Sequence, residues 1–483
     1  MILLMADDQR WDSFGCYGRE EFKTQHIDQL AKEGVTFDAA YYAVSICMPS
    51  RVTMMTGQYL SRHQCGFTYP YNYTVSKEEF SNSYPALLKK AGYRTGFIGK
   101  FGFAVTQKRQ QGNRIKGYNF YKNLGEVFDY FAGDGVHFDK GRVALWPRAD
   151  EVLRRIHRKD RPANQRVLRT GDAILHFLET QPADQPFCLS VSFFGVKNDG
   201  PKTIYPGHYR IFADTEMSVP DNWVEGANPK LPKVVRENWR GVPLHKRFHA
   251  DQLGYQRLVR NFAAQGYSVD QQVGRMVAKL KSQGLLNDTV IIYTSDNGRF
   301  HGCHGLHDKA LLYEESVKAP LVIFDGRLPA SKRGRRESAL VSSVDIAPTI
   351  TSIAGLSEQP SMQGRDFSKL INNSQEKDQW RDMVYFENLF LNNLYGAWQN
   401  RSIDARQKNN SLILSNKSYR CRGIRTSRWK YFIYYEHNPV IEELYDLKND
   451  PSEQENLADF PDYQRILISL RNSCNQFYID EVK

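Results

Sequence analysis

The sequence predicts an α/β fold: a large, mostly parallel sheet sandwiched by helices, with a smaller antiparallel sheet and a helix at the C-terminal end. Three observations carry this. Short apolar runs end abruptly in polar residues, and helical stretches lie between them. The runs are continuously apolar, as expected for strands covered on both faces. The last hundred residues change to short strands of alternating character.

Ile2–Ala6 ends at Asp7-Asp8, Arg94–Ile98 at Gly99-Lys100, and Thr289–Thr294 at Ser295-Asp296-Asn297. Phe187–Phe194 is a longer buried run, and Pro320–Phe324 follows. Expected helices cover Gln25–Gly34, Arg51–Gly57, Tyr84–Gly92, Arg166–Gln181, Leu253–Gly284 and Ser343–Gly355. Residues 356–404 read as polar loop apart from Met383–Phe386. Tyr419–Tyr435 and Glu443–Leu447 read as the small sheet, and Tyr463–Phe477 as its helix. One boundary is expected near residue 375, dividing a catalytic domain of 1–375 from a subdomain of 376–483. Ligands in such folds gather at the carboxyl ends of the strands. Asp7, Asp8, Lys100, Asp296 and Asn297 all fall there.

Composition narrows the function. With 41% hydrophobic and 25% charged residues the chain is an ordinary globular protein, not a disordered one. Net charge is +11, but the basic residues are scattered. The densest runs are Lys108-Arg109, Arg154-Arg155 and Lys332–Arg336, and no nucleic-acid-binding motif accompanies them. A polyanionic substrate is the more economical reading of the charge. The seven cysteines are dispersed without a CxxC pair, which argues against structural zinc. Their odd number leaves at least one unpaired. No apolar run reaches the ~18 residues of a membrane span, so no membrane partner is expected. Met1–Met5 is too short for a signal peptide and reads as a buried strand. A periplasmic or secreted location is expected, with the targeting segment not present in this chain.

Three motifs carry chemistry, each with an ordinary alternative. Asp7-Asp8 at a strand end is either a helix cap or half of a cation site, because adjacent carboxylates repel unless compensated. Asp296-Asn297-Gly298 is either a plain turn or the other half. Together they offer oxygen ligands only, which suits Ca²⁺ or Mg²⁺ better than Zn²⁺. Cys47 precedes Pro49 and a helix expected to start at Ser50 or Arg51. It is either a buried thiol or a reactive group whose pKa the helix end lowers.

Cys47-Met48-Pro49-Ser50-Arg51, followed by Thr56-Gly57, resembles the signature of type I sulfatases, C-x-P-S-R with a downstream T-G. The resemblance spans nearly the whole chain. LLMADDQRWDSFGCYG is similar to the family's opening strand and metal pair, and TQHIDQLAKEGVTFDAAYY to the segment before the signature. GYRTGFIGKFG resembles the G-Y-x-T-x-x-x-G-K element, and TSDNGRFHGCHGLHDKALLYEESVKAPLVI the second metal pair with its downstream lysine. RGIRTSRWKYF and ELYDLKNDPSEQENLA resemble the C-terminal signature.

That resemblance implies an alkaline-phosphatase-like fold and hydrolysis of sulfate esters. It implies Asp7, Asp8, Asp296 and Asn297 as calcium ligands. Cys47 becomes formylglycine, made by a formylglycine-generating or sulfatase-maturing enzyme, and serves as a further ligand and as the nucleophile. Arg51 holds the formylglycine, and Lys100 and Lys309 bind sulfate oxygens. The implied chemistry is attack by the aldehyde hydrate on sulfur, followed by collapse to aldehyde and free sulfate.

Two departures stand out. The family's G-K-W-H reads Gly99-Lys100-Phe101-Gly102 here, and its P-H pair reads Val196-Lys197, with Asn198 and Asp199 nearby. Both expected acid–base histidines are missing. Lys197 is a candidate replacement as sulfate-binding cation or general acid. His301, His304 and His307 are further candidates. His304-Gly305 matches a pair common in the family and also reads as a loop-shaping element. Arg299, His301 and His307 are expected to touch substrate, and Tyr71, Asn72 and the basic loop Lys108–Lys116 to form an outer pocket. The basic balance and the 13% aromatic content favour a sulfated carbohydrate or polysaccharide as substrate. The rival readings are a phosphonate or phosphate ester hydrolase and a sulfated-glycan-binding pseudoenzyme. The oligomeric state is not readable.

Overall fold

The computed structural model describes residues 1–67, 74–107, 122–133, 136–139, 142–145, 166–197, 206–226, 228–248, 251–372, 380–389 and 417–482. Among these a ten-stranded mixed sheet forms the centre. Its order is Arg335–Glu337, Val35–Phe37, Leu321–Asp325, Val290–Ser295, Ile2–Ala6, Phe187–Ser192, Arg94–Gly99, Tyr130–Gly133, Val136–Asp139, Arg142–Leu145. The run from Val290–Ser295 to Tyr130–Gly133 is parallel throughout. Leu321–Asp325 pairs antiparallel with both of its neighbours.

The first strand explains the double covering. Along it side chains alternate between the two faces. Leu3 and Met5 enter one core with Met48, Val52, Leu88 and Ile350, from the helices Cys47–Thr56, Tyr84–Lys90 and Ile346–Ile353. Ile2 and Leu4 enter the other with Ile27, Ile174, Phe177 and Met276, from Gln25–Lys32, Arg166–Glu179 and Gln252–Ser282. Both faces being dry, no polar residue can alternate into the strand, and the apolar run is continuous.

Met383–Asn388, Cys421–Thr426, Trp429–Tyr434 and Ile441–Asp446 form a separate four-stranded antiparallel sheet. One face packs Ile424, Tyr431 and Leu444 on Leu467, Leu470 and Cys474 of the helix Gln464–Phe477. The other packs Phe386, Phe432 and Tyr434 on Leu311, Leu312 and Tyr313 of the larger unit. Met383–Phe386, expected as a lone apolar stretch in a loop, lies in the strand Met383–Asn388 at the edge of this sheet. The expected boundary near 375 lies outside the described residues.

The helix carrying Cys47 starts at Cys47 itself, earlier than expected. Pro49 does not delay it, because the first turn's N–H groups have no helical acceptor and their loss costs nothing. All seven cysteines are free thiols.

Candidate active site

Strand pairing brings the two acidic motifs level. Ala6 lies opposite Ser295 in the parallel register. The chains leave the sheet together: Asp296 N donates to Ala6 O at 3.0 Å, and Asp8 N to Asp296 Oδ1 at 3.0 Å. Asp8 takes a left-handed backbone at φ 64, which turns its carboxylate back towards its neighbours. The carboxylates of Asp7, Asp8 and Asp296 are buried and offer oxygens within 4.8 Å of one another.

Five cationic side chains surround these three carboxylates. Lys100 Nζ lies 2.6 Å from Asp7 Oδ2, Arg51 Nη2 2.6 Å from Asp296 Oδ2, and Arg299 Nη1 2.6 Å from Asp8 Oδ2. Lys309 pairs with Asp8 and donates to Asn297 Oδ1 at 3.0 Å. Lys197 Nζ stands 3.7 Å from Asp7 Oδ1. Burial pushes the Asp8 carboxyl up, but Lys309, Lys197 and Arg299 outweigh it and hold it well below the usual range. At Asp7 burial is likewise outweighed, by Lys100 and Lys197, and the carboxyl stays ionised.

Cys47 opens its helix beside this cluster. Burial raises its thiol, and Lys100, Lys197 and Lys309 more than reverse the effect, so its pKa falls below the ordinary thiol value. Lys197 Nζ is 3.9 Å from Sγ. Arg51 follows one turn later, on the same side of the helix. It is 1% exposed, and its Nη1 donates to Lys100 O at 2.7 Å and to Ser192 Oγ. Gly102 has φ 85, and a Cβ there would stand 3.3 Å from Arg51 Cδ. Glycine thus meets a backbone demand at the position where the family carries a histidine.

Access is uneven. The Lys197 side chain is 41% exposed and that of Lys100 18% exposed. The other members are closed in.

The three histidines differ in what they meet. His304 Nε2 lies 3.2 Å from Glu315 Oε2 and 3.1 Å from Asn222 Nδ2, in a second buried cluster with Glu453. Burial lowers His304, but Glu315 prevails and raises it. His301 stacks on Phe262 with centroids 4.2 Å apart. His307 reaches the first cluster through Arg299, whose Nη2 is 2.8 Å away. The three histidines thus have different partners, and the backbone is left-handed at His301 and His304. Arg299, expected to touch substrate, sits against the Asp8 carboxylate. Ser192 was not expected, since a strand serine carries no sequence signal. Tyr71, Asn72, Lys108–Lys116, Asn198 and Asp199 lie outside the described residues.

The donor set suits a hard cation. Every ligand is oxygen, and Asp7 Oδ1 is buried without a hydrogen bond. The five cations that border it suit an anion held against that centre.

A family description named Sulfatase matches residues 1–356, and one named N-sulphoglucosamine sulphohydrolase, C-terminal, matches residues 302–479. The chain belongs to the sulfatase family. It is an enzyme, a sulfuric ester hydrolase, and its large mixed sheet with a small antiparallel one is the alkaline-phosphatase-like fold. It is 26% identical over 543 residues to an N-acetylglucosamine-6-O-sulfatase of Bacteroides thetaiotaomicron, covering 99% of this chain and 87% of the relative. It is 25% identical over 507 residues to a multifunctional alkaline phosphatase superfamily protein, PehA, of Trinickia caryophylli, covering 97% and 92%. Among solved structures it resembles a protein bound to its substrate D-glucosamine-2-N,6-O-disulfate, with TM-score 0.74, 24% identity and coverage of 100% and 98%. It also resembles the phosphonate monoester hydrolase of Agrobacterium radiobacter, with TM-score 0.73, 20% identity and coverage of 99% and 95%. At those identities the structural likeness speaks for the fold alone.

Proposed function

We propose that this sulfatase removes sulfate from a sulfated saccharide, with Ca²⁺ at Asp7, Asp8, Asp296 and Asn297 and a nucleophile made from Cys47 as formylglycine. One observation carries the reading: Cys47 begins a helix against a buried all-oxygen cluster, and lysines converge on its sulfur. A bound divalent cation supplies charge neutralisation to a sulfate oxygen. Formylglycine, in its hydrated form, supplies a hydroxyl where Sγ now stands.

The chain's own residues divide the remaining work. Lys100 and Lys309 bind sulfate oxygens as point charges. Arg51 fixes Asp296 and keeps positive charge one turn from position 47. Lys197 faces the open side, where the leaving alcohol departs. In the unconverted chain its ammonium is held protonated, first by Cys47 and then, against burial, by Asp7 and Asp8; once residue 47 is converted, the two carboxylates remain to do so. Such a group acts chiefly as a fixed cation for charge growing on the leaving oxygen. The proton that the attacking hydroxyl loses passes through water on the open side to the departing oxygen, so none is gained or lost in the transfer.

A saccharide fits the surroundings. Phe194, three residues before Lys197, is half-buried under the exposed guanidinium of Arg166, 4.9 Å from its ring centroid. The relatives' named substrates, glucosamine sulfates among them, point the same way. No helix among the described residues is long and apolar enough to cross a membrane. A secreted or periplasmic setting, with maturation by a sulfatase-modifying enzyme, completes the proposal; one relative is named an extracellular sulfatase.

Sulfate release from a panel of defined sulfated oligosaccharides tests the substrate, and peptide mass spectrometry of residue 47 tests the nucleophile. Full activity with an intact Cys47 thiol would overturn the mechanism. The rival phosphonate or phosphate ester hydrolase draws on the PehA relationship. Faster turnover of those esters than of any sulfate ester would favour it.

A further inference from the structure

Ser316 lies in the segment that carries Lys309 and has no assigned role. It is fully buried in the short helix Glu314–Val317, after the lysine loop. Three segments meet on it. Gly298 N, next to Asn297, donates to Ser316 O at 2.9 Å. Ser45 Oγ, two residues before Cys47, bonds Ser316 O and lies 2.7 Å from Ser316 Oγ. Ala310 N, next to Lys309, donates to Ser316 Oγ at 2.9 Å.

Counting hydrogens sets the directions. Ser45 has one proton and gives it to the Ser316 carbonyl. Ser316 then gives its own proton to Ser45 Oγ, and its lone pairs receive Ala310 N–H. Every buried donor is used, so no member can turn without leaving another unpaired.

Backbone strain makes this junction matter. Asp308 and Ala310, on either side of Lys309, have φ of 76 and 83. Residues bearing a Cβ avoid that region, and they stay there only where surroundings hold them. The Arg240–Asp308 ion pair holds one side of Lys309. The hydroxyl of Ser316 holds the other.

We propose that Ser316 is a positioning residue that locks the Lys309 loop, the Cys47 helix start and the Asp296-Asn297 corner into one register. It touches neither substrate nor cation. The proposal rests on the sulfatase reading for what Lys309 and position 47 do.

The test is a mutant cycle on the mature enzyme, with conversion of residue 47 quantified in every variant. Ser316→Ala is expected to lower kcat/KM about 10–100-fold, the effect of a small displacement of a reacting group. Ala310→Gly relieves the left-handed strain that Ser316 offsets. It should therefore restore at least about fivefold in the Ser316→Ala background and restore nothing in the wild type. A merely structural serine gives additive effects, and additivity overturns the proposal. Ser45→Ala cuts only the link to the Cys47 helix and serves if Ser316→Ala fails to fold. A fall of about tenfold is expected there, and activity within twofold of wild type overturns that link. Calorimetric binding of inorganic sulfate gives a readout free of turnover, with Ser316→Ala weakening it about tenfold. Mature wild-type enzyme that releases no sulfate would refute the sulfatase reading, while the calorimetric cycle would still decide the role of Ser316.

Discussion

Among the described residues, two buried clusters of side chains could hold a metal ion, and one of them has the features of a reaction centre. Asp7, Asp8 and Asp296 form the first, and His304, Glu315 and Glu453 the second. Both are buried, and in both the ligand atoms converge within 4.8 Å. They differ in their partners. Around the first, cations outnumber carboxylates, and Lys197 and Lys100 open towards solvent. The second is sealed. Lys430, 0% exposed, lies 2.9 Å from Glu453 Oε1 and 3.2 Å from Glu314 Oε1. Asn222 Nδ2 donates to Glu315 Oε1 at 2.6 Å. The second cluster ties the C-terminal sheet, through Lys430, to the loop that bears Lys309. Buried acids thus make a site where cations exceed them and an anion can enter, and a brace where neither holds.

Variants can break this contrast. The largest effect is expected from Cys47→Ala, which should lose at least about 10⁴-fold in kcat while moving unfolding free energy by less than about 1 kcal/mol. Chelation should abolish sulfate release and added Ca²⁺ restore it, with the far-UV circular dichroism of the folded chain unchanged. Persistence of activity after exhaustive chelation would place the first cluster with the second. Lys197→Ala should cost about 10²-fold in kcat/KM, the scale of one lost electrostatic donor, and Lys197→Arg should recover part of it.

The brace should respond in stability. Lys430→Met removes the ion-pair partner of Glu453 and leaves Glu314 to Arg425, so a loss of about 3–5 kcal/mol is expected by urea denaturation. The smallest effect is a pH slope. Burial pushes Glu453 up to about 7, with Glu314 and Glu315 adding to the rise and Lys430 opposing it. Its folded pKa exceeds the ordinary 4.5, so the folded state holds the extra proton between those values. Stability from this group is full below about 4.5 and is lost as pH rises through about 7. Glu453→Gln should flatten that decline, and an unchanged slope would assign it to another group.

Much of the candidate site was legible in the sequence. Asp7, Asp8, Asp296, Asn297 and Lys100 each follow an apolar strand, and strand ends converge in this kind of sheet. Cys47 and Arg51 were legible through the resemblance of Cys47–Arg51 to the C-x-P-S-R signature. The histidines were not. His301, His304 and His307 stand three residues apart, yet their rings face Phe262, Glu315 and Arg299. Nothing in RFHGCHGLHDK reveals the left-handed turns that separate them. Ser316 was equally silent, because its meaning lies in Ser45 and Ala310, which it meets only after folding.

By itself the sequence determined the strands, their polar ends, the helix that carries Arg51 and a set of oxygen-bearing side chains, because each depends on local periodicity and on side-chain chemistry. Tertiary structure alone decided which charged groups form an open centre and which form a closed brace. Charge balance and access to water depend on the summed field of residues hundreds of positions apart, and no stretch of chain contains that sum.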